Sequence, residues 1–99
     1  MKYVKEIKDT ITGAYVIDAV DGYRYKLKIL GRGDELFFQK DDDALICEIV
    51  ARYGVINPKS ITRWDNGEKI SDEERDFILE TIIDLYKKAY KDDLVVFEK

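Results

Sequence analysis

Residues 60–91 read S-I-T-R-W-D-N-G-E-K-I-S-D-E-E-R-D-F-I-L-E-T-I-I-D-L-Y-K-K-A-Y-K, and their reading decides the fold. The run holds the single tryptophan, Trp64, a turn at Asp65-Asn66-Gly67, and the clearest helix start in the chain. Ser71 followed by Glu74 is an S-x-x-E capping box, in which each side chain satisfies a backbone N–H that the first turn leaves unpaired. Asp72, Glu73 and Glu74 put negative charge in the first turn, and Lys87, Lys88 and Lys91 put positive charge in the last. Both ends thereby complement the helix dipole. Between them Ile78, Ile82, Leu85, Tyr86 and Ala89 recur at spacings of three and four, widened on one side by Leu79, Ile83 and Tyr90. A stripe of that period has to be buried. The opposite face carries Glu73, Asp76, Glu80, Asp84, Lys87 and Lys91. These features predict a helix from about Asp72 to about Tyr90, with Ile61 and Trp64 packed under or beside it.

Upstream, the pattern switches to strands. Asn57-Pro58 ends an element. The stretch Asp41–Gly54 supports two readings. As a helix it has acids at its start, Leu45, Ile46, Ile49, Val50 and Tyr53 on one face, and Gly54 as a stop. As a strand it has Leu45, Cys47, Ile49 and Ala51 on one side, with Tyr53-Gly54 turning it into Val55-Ile56. Periodicity does not separate the two over so short a run. The strand reading is preferred, because it extends a meander already under way.

That meander begins with Ala14–Val20 and Tyr23–Leu30 around Asp21-Gly22, a two-residue hairpin signal. Pairing Val20 with Tyr23 sets Val16 opposite Leu27, Asp18 opposite Tyr25 and Ala14 beside Ile29, which makes these the core face. Arg24, Lys26 and Lys28 then lie with Tyr15 and Ile17 on the solvent face. Gly31-Arg32-Gly33 is a turn into a third strand at Leu36-Phe37-Phe38. Alternation in Lys2–Asp9 suggests an earlier strand, with a turn at Thr10–Gly13, and Leu94-Val95-Val96-Phe97 reads as a closing strand. The expected fold is therefore α+β: an antiparallel β-meander of four to six strands packed against one long C-terminal amphipathic helix, with a short closing strand.

Length and composition set the outer limits. Ninety-nine residues, 45% hydrophobic and 38% charged, suit one folded domain spanning residues 1–99. No apolar run approaches the roughly 20 residues of a membrane-spanning helix. Met1–Asp9 alternates charged and apolar residues, unlike a signal peptide, and a single cysteine suits a reducing cytoplasm. A net charge of −4 disfavours nucleic acid as the main partner. The charge is uneven: between Asp65 and Asp84, eight acids stand against Lys69 and Arg75, a local net of −6. Such a run is a solvated face in its plainest reading; in the sharper one it is a docking surface for a basic partner.

Catalytic chemistry finds little support. The chain has no histidine, which removes the commonest general base and metal ligand. Cys47 sits in an apolar run and reads as a buried structural thiol. Asp41-Asp42-Asp43 could face a hard cation, but consecutive acids diverge where calcium loops space their ligands, so a solvated loop is the better account. The Gly31-Arg32-Gly33 pair leads into a strand, leaving no helix N-terminus for a phosphate. Tyr23 and Tyr25 interleave with Arg24, Lys26 and Lys28, yet at a strand's period of two the aromatic and basic residues face opposite ways. No enzyme activity, cofactor or metal is expected. Phe77 alone fits the helix pattern poorly, since it falls on the ridge with Glu73, Glu80 and Asp84. Either the Trp64 segment or a neighbouring loop covers it, or it is an exposed aromatic ringed by acids, a composition common in binding hot spots.

The segment from Ile46 to Ile82, with S-I-T-R-W-D-N-G at 60–67 and I-S-D-E-E-R at 70–75, resembles small α+β immunity proteins of bacterial polymorphic-toxin systems. The proteins it looks most similar to share a strand, an S-I-x-x-W-D-x-G segment and an I-S-x-x-E-R helix start. The resemblance covers roughly the second half of the chain, and its motifs are structural. It implies a cytoplasmic protein that binds and blocks a toxin effector. Together with the charge pattern it nominates Glu73, Asp76, Phe77, Glu80 and Asp84 as partner-binding residues. The alternative is a structural or regulatory accessory domain that self-associates through sheet edges or the Phe77 ridge.

Overall fold

Six strands follow one another across a single sheet in the computed structural model, which describes residues 7–8, 14–18 and 22–97. They are β1 (Tyr15–Asp18), β2 (Arg24–Leu30), β3 (Glu35–Lys40), β4 (Asp43–Val50), β5 (Val55–Asn57) and β6 (Val95–Val96). The first five pair antiparallel in chain order. The helix α1 (Asp72–Tyr90) then crosses the sheet, so β6 returns parallel to β5. The α+β architecture expected from the sequence is the one observed.

Within stretch 41–54, Asp43–Val50 is strand, as preferred, with turns on either side, and the reason is burial on both faces. Leu45, Cys47 and Ile49 point into the core under α1, while Ala44 and Ile46 join Ile7, Phe37 and Leu30 on the other face. A helix here would have left the second edge of β3, whose residues Glu35–Lys40 all find partners in β4, without a strand to pair with. Gly54 then turns the chain with φ +66°, and a Cβ there would stand 2.8 Å from the Asp93 carbonyl oxygen. That close approach lets Val95 N–H donate to Gly54 O at 2.7 Å and seats β6.

The main core lies between sheet and helix. Ile78, Leu79, Ile82, Leu85 and Tyr86 of α1 pack with Tyr25, Leu27, Leu36 and Phe38, and with Ile61, Trp64 and Ile70 from the connecting segment. Each fully buried isoleucine or leucine contributes about 1.5–3 kcal/mol. The helix starts where predicted: Ser71 has extended backbone and its Oγ accepts from Glu74 N–H at 3.2 Å. It stops at Lys91, which turns left-handed at φ 58° and donates its N–H to Lys87 O.

Three expectations are corrected. The β1–β2 register is Tyr15↔Leu27, Val16↔Lys26, Ile17↔Tyr25 and Asp18↔Arg24, one residue away from that expected. Five residues separate Asp18 from Arg24, an odd number that a two-residue Asp-Gly turn between paired strands cannot give. A one-residue slip reverses every side chain of a strand. Tyr15 and Ile17 therefore pack against the core while Val16 is exposed. The observed register is the better one physically, since the other would have set Asp18 on the core face. The expected strand Lys2–Asp9 lies mostly outside the described residues, as does the Thr10–Gly13 turn. Ile7 and Lys8, which are described, have helical backbone. They cover the sheet face away from α1, where Lys26, expected in solvent, is buried and its Nζ donates to Lys8 O at 2.6 Å and Ile7 O at 3.3 Å.

Candidate partner-binding surface

The S-I-x-x-W-D-x-G residues build a platform beneath α1. Ser60 Oγ accepts from Glu48 N–H at 2.8 Å and donates to Asn57 O at 2.6 Å. Asp65 pairs with β4 twice, its N–H donating to Ala44 O at 2.8 Å and its Oδ1 accepting from Ala44 N–H at 3.0 Å. β5 is only three residues long, so this segment completes the hydrogen bonding along the free part of β4. Ile61 is fully buried, and Trp64 lies 6.3 Å from the Phe38 ring centre. Burial by itself pushes the Asp65 carboxyl up. Hydrogen bonds from Lys8 and Ala44 N–H, with the Lys8 charge, outweigh that and hold it below the usual carboxylate range. Ser60, Ile61, Trp64 and Asp65 each have a structural task.

On that platform α1 turns its charged side outward. Glu73, Asp76, Phe77, Glu80 and Asp84 are all exposed. The helix brings the five predicted residues onto one surface at one-turn intervals. Asp84 pairs with Lys88 at 3.1 Å, while among the described residues Glu73, Asp76 and Glu80 have no cation within 4 Å. Phe77 is 41% exposed, so the Trp64 segment does not cover it. A cation from the sheet lies over it: Lys40, at the end of β3, holds its Nζ 5.0 Å from the Phe77 ring centre and 4.1 Å from that of Tyr23. Neither Lys40 nor Tyr23 was singled out from the sequence as part of this surface. They reach Phe77 through the β2–β3 pairing, and no local pattern announces that.

A second feature escaped sequence reading. On the sheet face away from α1, a groove of about 520 Å³ opens between Glu48, Val50, Tyr53, Val55, Asn57, Lys59 and Phe97. Val50, Tyr53 and Phe97 are exposed in it. The alternation of β4 and β5 carries the signal, since Val50 and Val55 fall on the face opposite Ile49 and Ile56.

The remaining candidates hold no assembled chemistry. Cys47 is buried, and that burial pushes its thiol up to about 12. Asp41 Oδ1 accepts from Arg24 N–H at 2.9 Å, and Asp43 Oδ1 accepts from Asn66 Nδ2 at 3.4 Å, so these acids serve turns. Among the described residues, no group of three or more His, Cys, Asp or Glu side chains could hold a metal ion, and no helix is long and apolar enough to cross a membrane. No protein-family model, curated protein or solved structure matches the chain.

Proposed function

We propose that this chain is a non-enzymatic binding protein of the immunity type, acting in the cytoplasm, whose α1 ridge docks on and blocks the basic surface of a toxin effector. The observation that carries the reading is the composition of that ridge. Phe77 stands exposed among Glu73, Asp76, Glu80 and Asp84, three of which have no cation within 4 Å among the described residues. Uncompensated charge of one sign steers an oppositely charged protein toward the surface, and an aromatic at its centre holds the partner once water is expelled. The resemblance of residues 46–82 to immunity proteins supplies the class of partner. The test is co-expression with the protein encoded beside this one. A heterocomplex that weakens with added salt and is lost in the Glu80→Lys, Asp84→Lys double variant supports the proposal; the absence of any complex sinks it.

The groove of Val50, Tyr53, Val55 and Phe97 favours a second reading, self-association through the sheet face and the β6 edge. Solution mass decides it: a dimer dispersed by Phe97→Asp would replace the first reading, and a monomer would remove the second.

A further inference from the structure

Lys40 brings a positive charge to the margin of an acidic ridge without pairing to any acid of it. Among the described residues no carboxylate lies within 4 Å of its Nζ. The ammonium sits between two rings instead, 4.1 Å from the centre of Tyr23 and 5.0 Å from that of Phe77. Both distances fall inside the roughly 6 Å over which a ring's quadrupole attracts a cation. The rings are open to a similar degree, 39% for Tyr23 and 41% for Phe77. Tyr23 is braced from behind by Tyr25, a core residue whose ring centre lies 6.4 Å away. Phe77 is fixed on α1 one turn after Glu73 and one turn before Glu80.

We propose that Tyr23 and Phe77 form a cation seat, filled by Lys40 in the free chain and taken over by an arginine side chain of the basic partner in the complex. The inference rests on the acidic-ridge reading and adds the chemistry of the group that enters. An ammonium held at an exposed site by ring faces is bound weakly, by a factor of about two to five, so displacing it meets little resistance. A guanidinium suits the seat better, because it is planar, stacks on aromatic faces and sheds water more readily than an ammonium. The carboxylates of Glu73 and Glu80 flank the seat along the helix and would meet the incoming charge, while the flexible Lys40 stem swings its head into solvent.

The test uses the full chain and acetyl-arginine amide as probe, followed by NMR of the Tyr23 and Phe77 ring signals. In the unaltered protein, ring currents should shift the Lys40 ε-methylene protons upfield, and added probe should return them toward the position of a free lysine. Lys40→Met, which empties the seat, should bind the probe about two- to five-fold more tightly, and Phe77→Leu should abolish the response. Trp64 fluorescence reports whether each variant is folded. Three results overturn the inference: unshifted Lys40 ε-methylene protons in the unaltered chain, silent rings in Lys40→Met, or a response no larger than that of Phe97, an exposed ring elsewhere. Because the probe is a small molecule, a silent seat removes this inference without touching the acidic-ridge reading. A failed heterocomplex removes that reading without silencing the seat.

Discussion

The Glu74 carboxylate accepts a hydrogen bond from the Trp64 indole Nε1 at 3.3 Å. The side chain that the sequence offers as the returning half of a capping box is thus engaged with the tryptophan platform, and the Ser71 half of the cap carries the start of α1. Ser71→Ala should then cost about 0.5–2 kcal/mol. In a domain of this size that lowers the melting temperature by roughly 4–8 °C per kcal/mol. A melting curve superimposable on that of the parent would show that the helix does not depend on this cap.

Acid should loosen the platform. The folded-state pKa of Asp65 lies below its ordinary value, because hydrogen bonds from Lys8 and Ala44 together with the Lys8 charge outweigh the opposing effect of burial. A depressed carboxyl contributes stability above its unfolded pKa, about 3.9, and loses it as pH falls through the folded value. Asp65→Asn retains an oxygen for Ala44 N–H but no charge for Lys8. It should be less stable than the parent near neutrality, and the gap should close below about pH 4. Unfolding curves at several pH values check this; a gap that stays constant into acid would contradict it.

Cys47 should be chemically silent. Its thiol is 2% exposed and pushed up to about 12, so the nucleophilic thiolate is scarce at neutral pH and shielded besides. A thiol reagent should label it only once denaturant unfolds the chain. Rapid labelling of the folded protein would mean that the β3–β4 core opens readily.

Much of this fold was legible because its signals are local. The α1 stripe, its cap and its dipole-matched ends lie within one stretch, and the strand nature of β4 followed from continuing the meander. The β1 register was not legible: Asp21-Gly22 signals a two-residue turn, whereas the paired strands leave an odd number of residues between them. The five ridge residues could be placed together because helical periodicity alone brings them to one face. Tyr23 and Lys40 could not, since only the sheet pairing carries them to Phe77. The groove at Val50, Tyr53 and Phe97 likewise depends on β6 returning beside β5.

The acidic ridge and Phe77 should act on different steps of binding. Charge attraction works at a distance and is screened within roughly 8–10 Å at physiological salt. An aromatic anchor contributes after water has left the interface, and so sets the dissociation rate. The most direct measurement is stopped-flow association and dissociation with the protein encoded beside this one, at two ionic strengths. The Glu80→Lys, Asp84→Lys double variant should associate more slowly and with a flatter salt dependence, while Phe77→Ala should dissociate about tenfold faster, the equivalent of about 1.4 kcal/mol. Unchanged rates in variants that remain folded would contradict the ridge as the binding surface.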